Sequence, residues 1–416
     1  MKICDIVQFY SPLSGGVRRY LEDKAHYLAQ HTGHEHIVIV PSERNAVLRR
    51  DNSVFYEIKS LRLIGSISYR MLLNQKRIHE IIQQEQPDII EVGDPYRSAW
   101  IALQAAERWN IPIVAFYHSD FPRALGRTIH RFLGHRIENL LSSGIHSYVL
   151  RLYNRMNATI VAGRRLEKVL TECGIKNVIR IPLGTNTDCF QPSPNSHAVR
   201  EELNLKNEER LLLFVGRLAR EKNIRALIDM MDLLTQNHSA RQQYRLLLVG
   251  DGELNKMVQK ALSTRPYITW YPFCNSTEQL AAFYTAADLF VHAGHYETFG
   301  ITSLEAQACG TRVLAVRNGG LDDTVSGEEP SIMAESHTGI DLAKAVQEIF
   351  ALQGGATPEQ RRQRILENFT TDLTYTRIVS LYEHIVRGEP LNEFSTDLFL
   401  GNEDGIRNSA ILTGRP

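Results

Sequence analysis

The chain has 416 residues, 43% of them apolar and 23% charged, with a formal net charge of +0. That length and composition fit a globular protein of two domains, and the balanced charge offers no global field for nucleic acid. Cys4, Cys173, Cys189, Cys274 and Cys309 are scattered with no Cys-x-x-Cys pair, which argues against a disulfide framework or zinc site and for a reducing cytosol.

The N-terminus has neither a basic start nor an apolar run of signal-peptide length. Nothing approaches about 18 consecutive apolar residues, so no transmembrane helix is expected and any membrane contact would be peripheral. Strand and helix signals alternate from the start: Ile3–Phe9, an amphipathic run with Val17, Tyr20, Leu21, Ala25 and Leu28 on one face, then His36–Val40. Further strands are expected at Ile89–Val92, Ile113–Phe116, Ala158–Ala162 and Val178–Ile181. This alternation means βαβ units and a parallel sheet, which binds ligands at the carboxyl ends of its strands.

Pro192-Ser193-Pro194-Asn195-Ser196 is polar and proline-bearing and reads as a linker. A second series follows, with strands at Leu211–Val215, Leu246–Val249, Ile268–Tyr271, Leu289–His292 and Val313–Val316. Ser276-Thr277-Glu278-Gln279 is a capping box, and Thr357-Pro358-Glu359-Gln360 opens another helix with proline at its first position. The division expected is a domain over 1–190, completed by a helix over about 371–387, a domain over 205–370, and a mobile tail over 388–416.

The segment His295-Tyr296-Glu297-Thr298-Phe299-Gly300-Ile301-Thr302-Ser303-Leu304-Glu305 follows a buried strand and opens a short helix that Gly310 ends. The amides of Phe299, Gly300, Ile301 and Thr302 lie at that helix N-terminus, where unsatisfied N–H groups and the dipole favour an anion such as a diphosphate. Glu297 precedes the seat and Glu305 follows it, so the two carboxylates could accept hydroxyls from opposite ends of one ligand. Arg217 and Lys222 flank a strand-to-helix turn where the dipole disfavours cations, and a bound anion would explain them. Gly15-Gly16 and Gly250-Asp251-Gly252-Glu253 are turns after strands, and His118 ends a strand. No Gly-x-Gly-x-x-Gly fingerprint indicates a nicotinamide cofactor.

These motifs, with Phe214-Val215-Gly216-Arg217-Leu218, Cys309-Gly310-Thr311 and Asn318-Gly319-Gly320, resemble the retaining GT-B glycosyltransferases of family four, also called group one. The resemblance spans about residues 1 to 386 and implies an α/β chain of two Rossmann-like domains facing a central cleft, acceptor domain first and donor domain second. It implies a hexose-type sugar moved from a nucleoside-diphosphate sugar to a hydroxyl acceptor, with retention and without a metal or other cofactor. Glu297 and Glu305 match the family's Glu-x7-Glu pair. Arg217 and Lys222 would contact the diphosphate and stabilise the leaving group, and His118 would position the transferred sugar. Gly15, Gly16, Gly250, Asp251 and Phe273 would lie along the donor, Phe273 at the base. Asp322 and Asp323 depart from the family's usual proline-glutamate and are given no role.

Between Asp120 and Lys168, Arg123, Arg127, Arg131, Arg136, Arg151, Arg155, Arg164 and Arg165 stand among apolar residues. The stretch could rest on anionic lipid at the inner membrane face, with a lipid-linked acceptor, or be a solvated helix face. An epimerase or phosphorylase on the same scaffold, or a noncatalytic sugar-nucleotide-binding subunit, are the rival readings. Donor base, acceptor and oligomeric state are not legible.

Overall fold

The structure, a computed structural model, describes residues 1–10, 16–63, 69–118, 135–236, 243–274, 276–295, 297–325 and 333–394, with the backbone alone over 135–143. The chain forms two compact units, Met1–Pro182 with the residues from Thr374 on, and Leu183–Leu373.

The first unit holds an eight-stranded sheet. Its strands are β1 (Lys2–Ile6), β2 (Glu35–Ser42), β3 (Ala46–Arg50), β4 (Ser53–Lys59), β7 (Ile89–Val92), β8 (Ile113–Phe116), β9 (Ala158–Val161) and β10 (Val178–Arg180). A separate short hairpin joins β5 (Leu61–Arg62) to β6 (Arg70–Met71). The order is β10-β9-β8-β7-β1-β2-β4-β3, parallel throughout except for β3 on β4. The central strands are buried on both faces, which is why they read as mainly apolar runs, with Glu91 in β7 and Thr159 in β9 as buried polar members. The β3–β4 pair was not foreseen. Arg49 and Arg50 make β3 a polar edge, and the signal was the two-residue turn Asp51–Asn52, set by the Arg50–Ser53 pairing with Asp51 at φ 47°.

The second unit carries a parallel five-stranded sheet in the order β13-β12-β11-β14-β15. These strands are Glu209–Val215 (β11), Gln243–Val249 (β12), Ile268–Tyr271 (β13), Leu289–Val291 (β14) and Val313–Leu314 (β15). Strand order reverses beside β11, and the loops leaving β11 and β14 open at that switch point.

The stretch 192–196 read as a linker belongs to the second unit. Phe190 is buried against Tyr284, Ser193 N donates to Thr285 Oγ1 at 3.0 Å, and Arg362 donates to the carbonyls of Phe190 and Thr187 at 2.9 and 3.1 Å. Composition marked the polar stretch, but the buried phenyl ring before it sets the boundary at Pro182–Leu183. There Thr185 N donates to Phe369 O at 2.8 Å and Thr371 N donates to Thr185 O at 3.1 Å, so both ends of the second unit are tied together.

From Thr374 on, the helix Thr371–Val386 packs in the first unit. Tyr375 Oη donates to Tyr20 O at 2.6 Å, and Lys24 Nζ donates to Tyr382 Oη at 2.9 Å. Lys24 Nζ also lies 2.8 Å from Asp5 and 3.4 Å from Glu91, Tyr20 Oη donates to Glu91 at 3.0 Å, and His36 Nε2 lies 2.5 Å from Asp5. These charges are buried and mutually satisfied, which such groups require. The start of the expected tail is fastened rather than free, with His384 Nε2 at 3.0 Å from Pro390 O and edge-on to Phe394. Residues 395–416 lie outside the described residues.

Candidate functional site

In the second unit the loops after β11 and β12 are closely fitted. Gly216 N donates to Val249 O at 3.0 Å and Leu218 N to Asp251 O at 2.9 Å. Gly250 has φ +139°, and a Cβ there would sit 2.0 Å from Gly216 O, so this approach requires glycine. Asp251 Oδ1 accepts Gly252 N at 2.7 Å and the Asn255 amide, which makes it a clasp of its own loop. Phe273, on the loop after β13, is 57% exposed.

A short 3-10 turn, Arg220–Lys222, follows β11 and sends the Lys222 ammonium to the Glu297 carboxylate, with which it forms an ion pair. Glu297 arrives from the loop after β14, fixed by Glu297 N donating to Gly319 O at 3.2 Å and His295 N donating to Glu221 O at 3.0 Å. His292, buried at the end of β14, brings Nε2 to 3.4 Å from the same carboxylate. Burial pushes the Glu297 carboxyl up, but the Lys222 charge and the His292 contact outweigh it and hold the group well below the usual carboxylate range. Arg217 turns instead to Glu221, at 2.5 Å, with its side chain 67% exposed.

Gly300, at φ +86°, starts the helix Ile301–Ala308. The first amides of that helix have no intrahelical partner, and glycine leaves no side chain over them. Glu305, one turn in, is buried and accepts the Tyr284 hydroxyl at 2.8 Å. Asp322, given no role from the sequence, accepts the amides of Asn318 at 3.1 Å and Gly320 at 3.4 Å and so shapes the glycine loop that supports Glu297. Sequence reasoning also passed over Glu221, His292 and Tyr284. His292 offered a signal, since it ends a strand as His118 does. Glu221 and Tyr284 gave none without the contacts.

The structure thus joins Lys222 with Glu297 and sets both beside the helix start, while Arg217 pairs elsewhere. Each cation faces a glutamate, so an anion at the helix start would exchange carboxylate partners for its own oxygens. Among the described residues no group of three or more His, Cys, Asp or Glu is placed to hold a metal ion, and no helix is long and apolar enough to cross a membrane.

In the first unit Gly16 opens the helix Gly16–His31 with nothing near its missing Cβ, while Gly15 and Asp120 lie outside the described residues. Much of the basic stretch from residue 120 lies outside them as well. His118 follows β8, stacks on Phe116 at 4.3 Å and meets Tyr20 edge-on at 4.9 Å. Burial lowers its pKa to about 3, so the ring is neutral, and its Nε2 is buried without a hydrogen-bond partner among the described residues.

Residues 195–369 match the family Glycosyl transferases group 1, and residues 14–189 match Glycosyltransferase Family 4. The chain is a group 1 glycosyltransferase. This glycosyltransferase is 24% identical over 91% of its length, and 93% of the relative's, to a GDP-mannose-dependent alpha-(1-6)-phosphatidylinositol dimannoside mannosyltransferase of Mycobacterium tuberculosis. It is 25% identical over 78% of its length, and 75% of the relative's, to a GDP-mannose-dependent alpha-mannosyltransferase of Corynebacterium glutamicum. The sucrose-phosphate synthase of Thermosynechococcus elongatus superposes with a TM-score of 0.74 at 21% identity, covering 94% of this chain and 100% of that one, and supports the two-domain GT-B fold of the enzyme.

Proposed function

We propose that this enzyme is a retaining hexosyltransferase that draws on a nucleoside-diphosphate sugar and delivers the sugar to a hydroxyl acceptor. The observation that carries the reading is the Lys222–Glu297 pair beside the amides of Phe299–Thr302. In this reading the diphosphate takes the helix N-terminus, and Lys222 with Arg217 stabilises the charge that grows on the leaving phosphate. Freed from Lys222, Glu297 accepts a sugar hydroxyl, and Glu305 accepts the ribose. Phe273 and the Gly250–Asp251 loop lie along the nucleoside. Gly15 and Gly16 approach the phosphate by backbone, and neutral His118 hydrogen-bonds the transferred sugar. Among the described residues none stands out as a covalent nucleophile, so the leaving phosphate itself assists deprotonation of the acceptor on the same face.

The named activities of the relatives make GDP-mannose the first donor to try and a lipid-linked acceptor the first acceptor class. The arginine-rich stretch supports reversible attachment to anionic membrane on the cytoplasmic side, each basic residue adding about 1 kcal/mol near such a surface. Thermal-shift titration with GDP-mannose, UDP-glucose and the free diphosphates tests the donor, because a ligand at 100 times its Kd stabilises by about 2.7 kcal/mol. Stabilisation by none of them would refute the reading. Donor epimerised without acceptor, or transfer that requires inorganic phosphate, would favour the rival chemistries. Co-sedimentation with anionic and neutral vesicles at low and high salt tests the membrane contact.

A further inference from the structure

Beside His118, which the donor reading uses, the first unit carries two polar groups at its strand ends that this reading leaves without a role. β7 lies between β1 and β8 in the sheet, so the residues leaving these three strands are neighbours. Beyond β1, Gln8 is 3% exposed and its Oε1 is buried with no hydrogen-bond partner among the described residues. Beyond β7, Asp94 is 4% exposed and accepts the amides of Gln8 and Phe9 through Oδ2, each at 3.2 Å. Beyond β8, His118 lies against Gly93, where an added Cβ would come within 3.4 Å of its ring, and its Nε2 is likewise unpartnered. Buried polar atoms are almost always hydrogen-bonded, so the Gln8 amide oxygen, left open near the ring given to the transferred sugar, points to a ligand that brings its partner.

We propose that Gln8 and Asp94 form an acceptor subsite in the first unit that reads the hydroxyls of a neutral polyol ring, a hexose or a cyclitol. The proposal rests on the transferase reading and names the acceptor class. A buried amide oxygen with no partner accepts from a hydroxyl, and a carboxylate does the same. Among the described residues the groups acting on Asp94 are two backbone amides, with no cation among them. Burial outweighs the two amides and raises its carboxyl to about 6, so it is mostly ionised at neutral pH. A negative charge at the subsite that no described cation compensates disfavours a phosphorylated ring and favours an uncharged one. Half-buried Phe9, edge-on to Tyr96 at 4.9 Å and to Tyr69 at 5.3 Å, supplies an apolar wall for the ring's C–H face.

The test is ligand-observed saturation-transfer NMR on the full chain with methyl α-D-mannopyranoside, myo-inositol and myo-inositol 1-phosphate, with GDP and UDP read in the same samples. Wild type is expected to bind at least one of the neutral rings, the two arms telling hexose from cyclitol, and to bind the phosphate at least about tenfold more weakly. Asp94→Asn keeps an oxygen for both amides, yet is expected to lose most of the neutral-ring signal and narrow the gap to the phosphate. Gln8→Leu is expected to lose the neutral ring as well, with nucleoside diphosphate binding unchanged in both variants. Equal neutral-ring binding in wild type and both variants, no neutral-ring binding by wild type, or a wild-type preference for the phosphate would overturn the subsite. Absence of nucleoside diphosphate binding with the polyol signals intact would sink the donor reading and leave the subsite standing.

Discussion

Lys222 and Glu297 meet as an ion pair although 75 positions separate them, one leaving β11 and the other β14, the two strands at the switch point of the second sheet. Neither side chain is more than about a fifth exposed. Lys222→Ala therefore leaves a carboxylate without its main counter-charge and removes the leaving-group cation. We expect kcat to fall by roughly 10²–10³. Because the folded Glu297 carboxyl titrates below its ordinary value, its contribution to stability is present above about pH 4.5 and is lost only as pH falls through the folded value, in strong acid. In Lys222→Ala that loss should move to higher pH, measurable by acid titration of the melting temperature.

Glu305→Ala should weaken nucleoside diphosphate binding by roughly 1.5–3 kcal/mol, about 10- to 150-fold, while Tyr284→Phe, which removes the hydroxyl that donates to Glu305, should weaken it less. Isothermal titration of both folded variants checks the order. Equal binding by wild type and Glu305→Ala would remove Glu305 from the donor site.

Transfer should persist in a strong chelator, because Arg217 and Lys222 supply the charge that a metal provides elsewhere. Complete loss that added metal restores would refute this. The anomeric configuration of the product, read by NMR, should match the donor's.

Gly320→Ala meets two obstacles: φ is +97°, and the new Cβ would lie 2.0 Å from Glu297 O. Gly354 has a similar φ of +94° with nothing within 4 Å. The strain common to both is about 1–2 kcal/mol, so Gly320→Ala should destabilise distinctly more than Gly354→Ala and alone should impair transfer. Similar melting temperatures for the two would show that the loop yields.

Glu91→Gln keeps one acceptor oxygen, which at the Oε2 position lies within reach of both Tyr20 and Tyr382, and removes a buried charge. Burial, with Asp5 adding and Lys24 opposing, raises the Glu91 carboxyl from 4.5 to about 7. The folded chain thus holds this proton more tightly than the unfolded chain, a stabilisation present at low pH and lost as pH rises through about 7. Each pKa unit corresponds to about 1.4 kcal/mol, so the melting temperature of Glu91→Gln relative to wild type should be higher at pH 8 than at pH 5. A pH-independent difference would contradict it.

The sequence announced what depends on local pattern. Ile89–Val92, Ile113–Phe116 and Ile268–Tyr271 match the expected strands to the residue because each is a short, mainly apolar run of residues that favour strands. Thr357 forms the capping box, and Pro358 takes the first helical position. What stayed hidden depends on distant contacts. Arg217 reads as Lys222's companion, yet Glu221 claims it. Asp322 looked like a deviation and turns out to hold the glycine loop. Lys24, Asp5 and Glu91 look like helix-surface and strand-interrupting charges until the fold gathers them.

The tie between Thr185 and Phe369–Thr371 bears on the order in which a nascent chain can mature. The first unit starts the polypeptide but lacks Tyr375 and Tyr382 until nearly four hundred residues have been made, whereas every part of the second is made before them. On the ribosome, then, the unit begun first is the last to be finished, and Asp5, Lys24 and Glu91 wait through synthesis of the whole insert for the tyrosines that complete their burial.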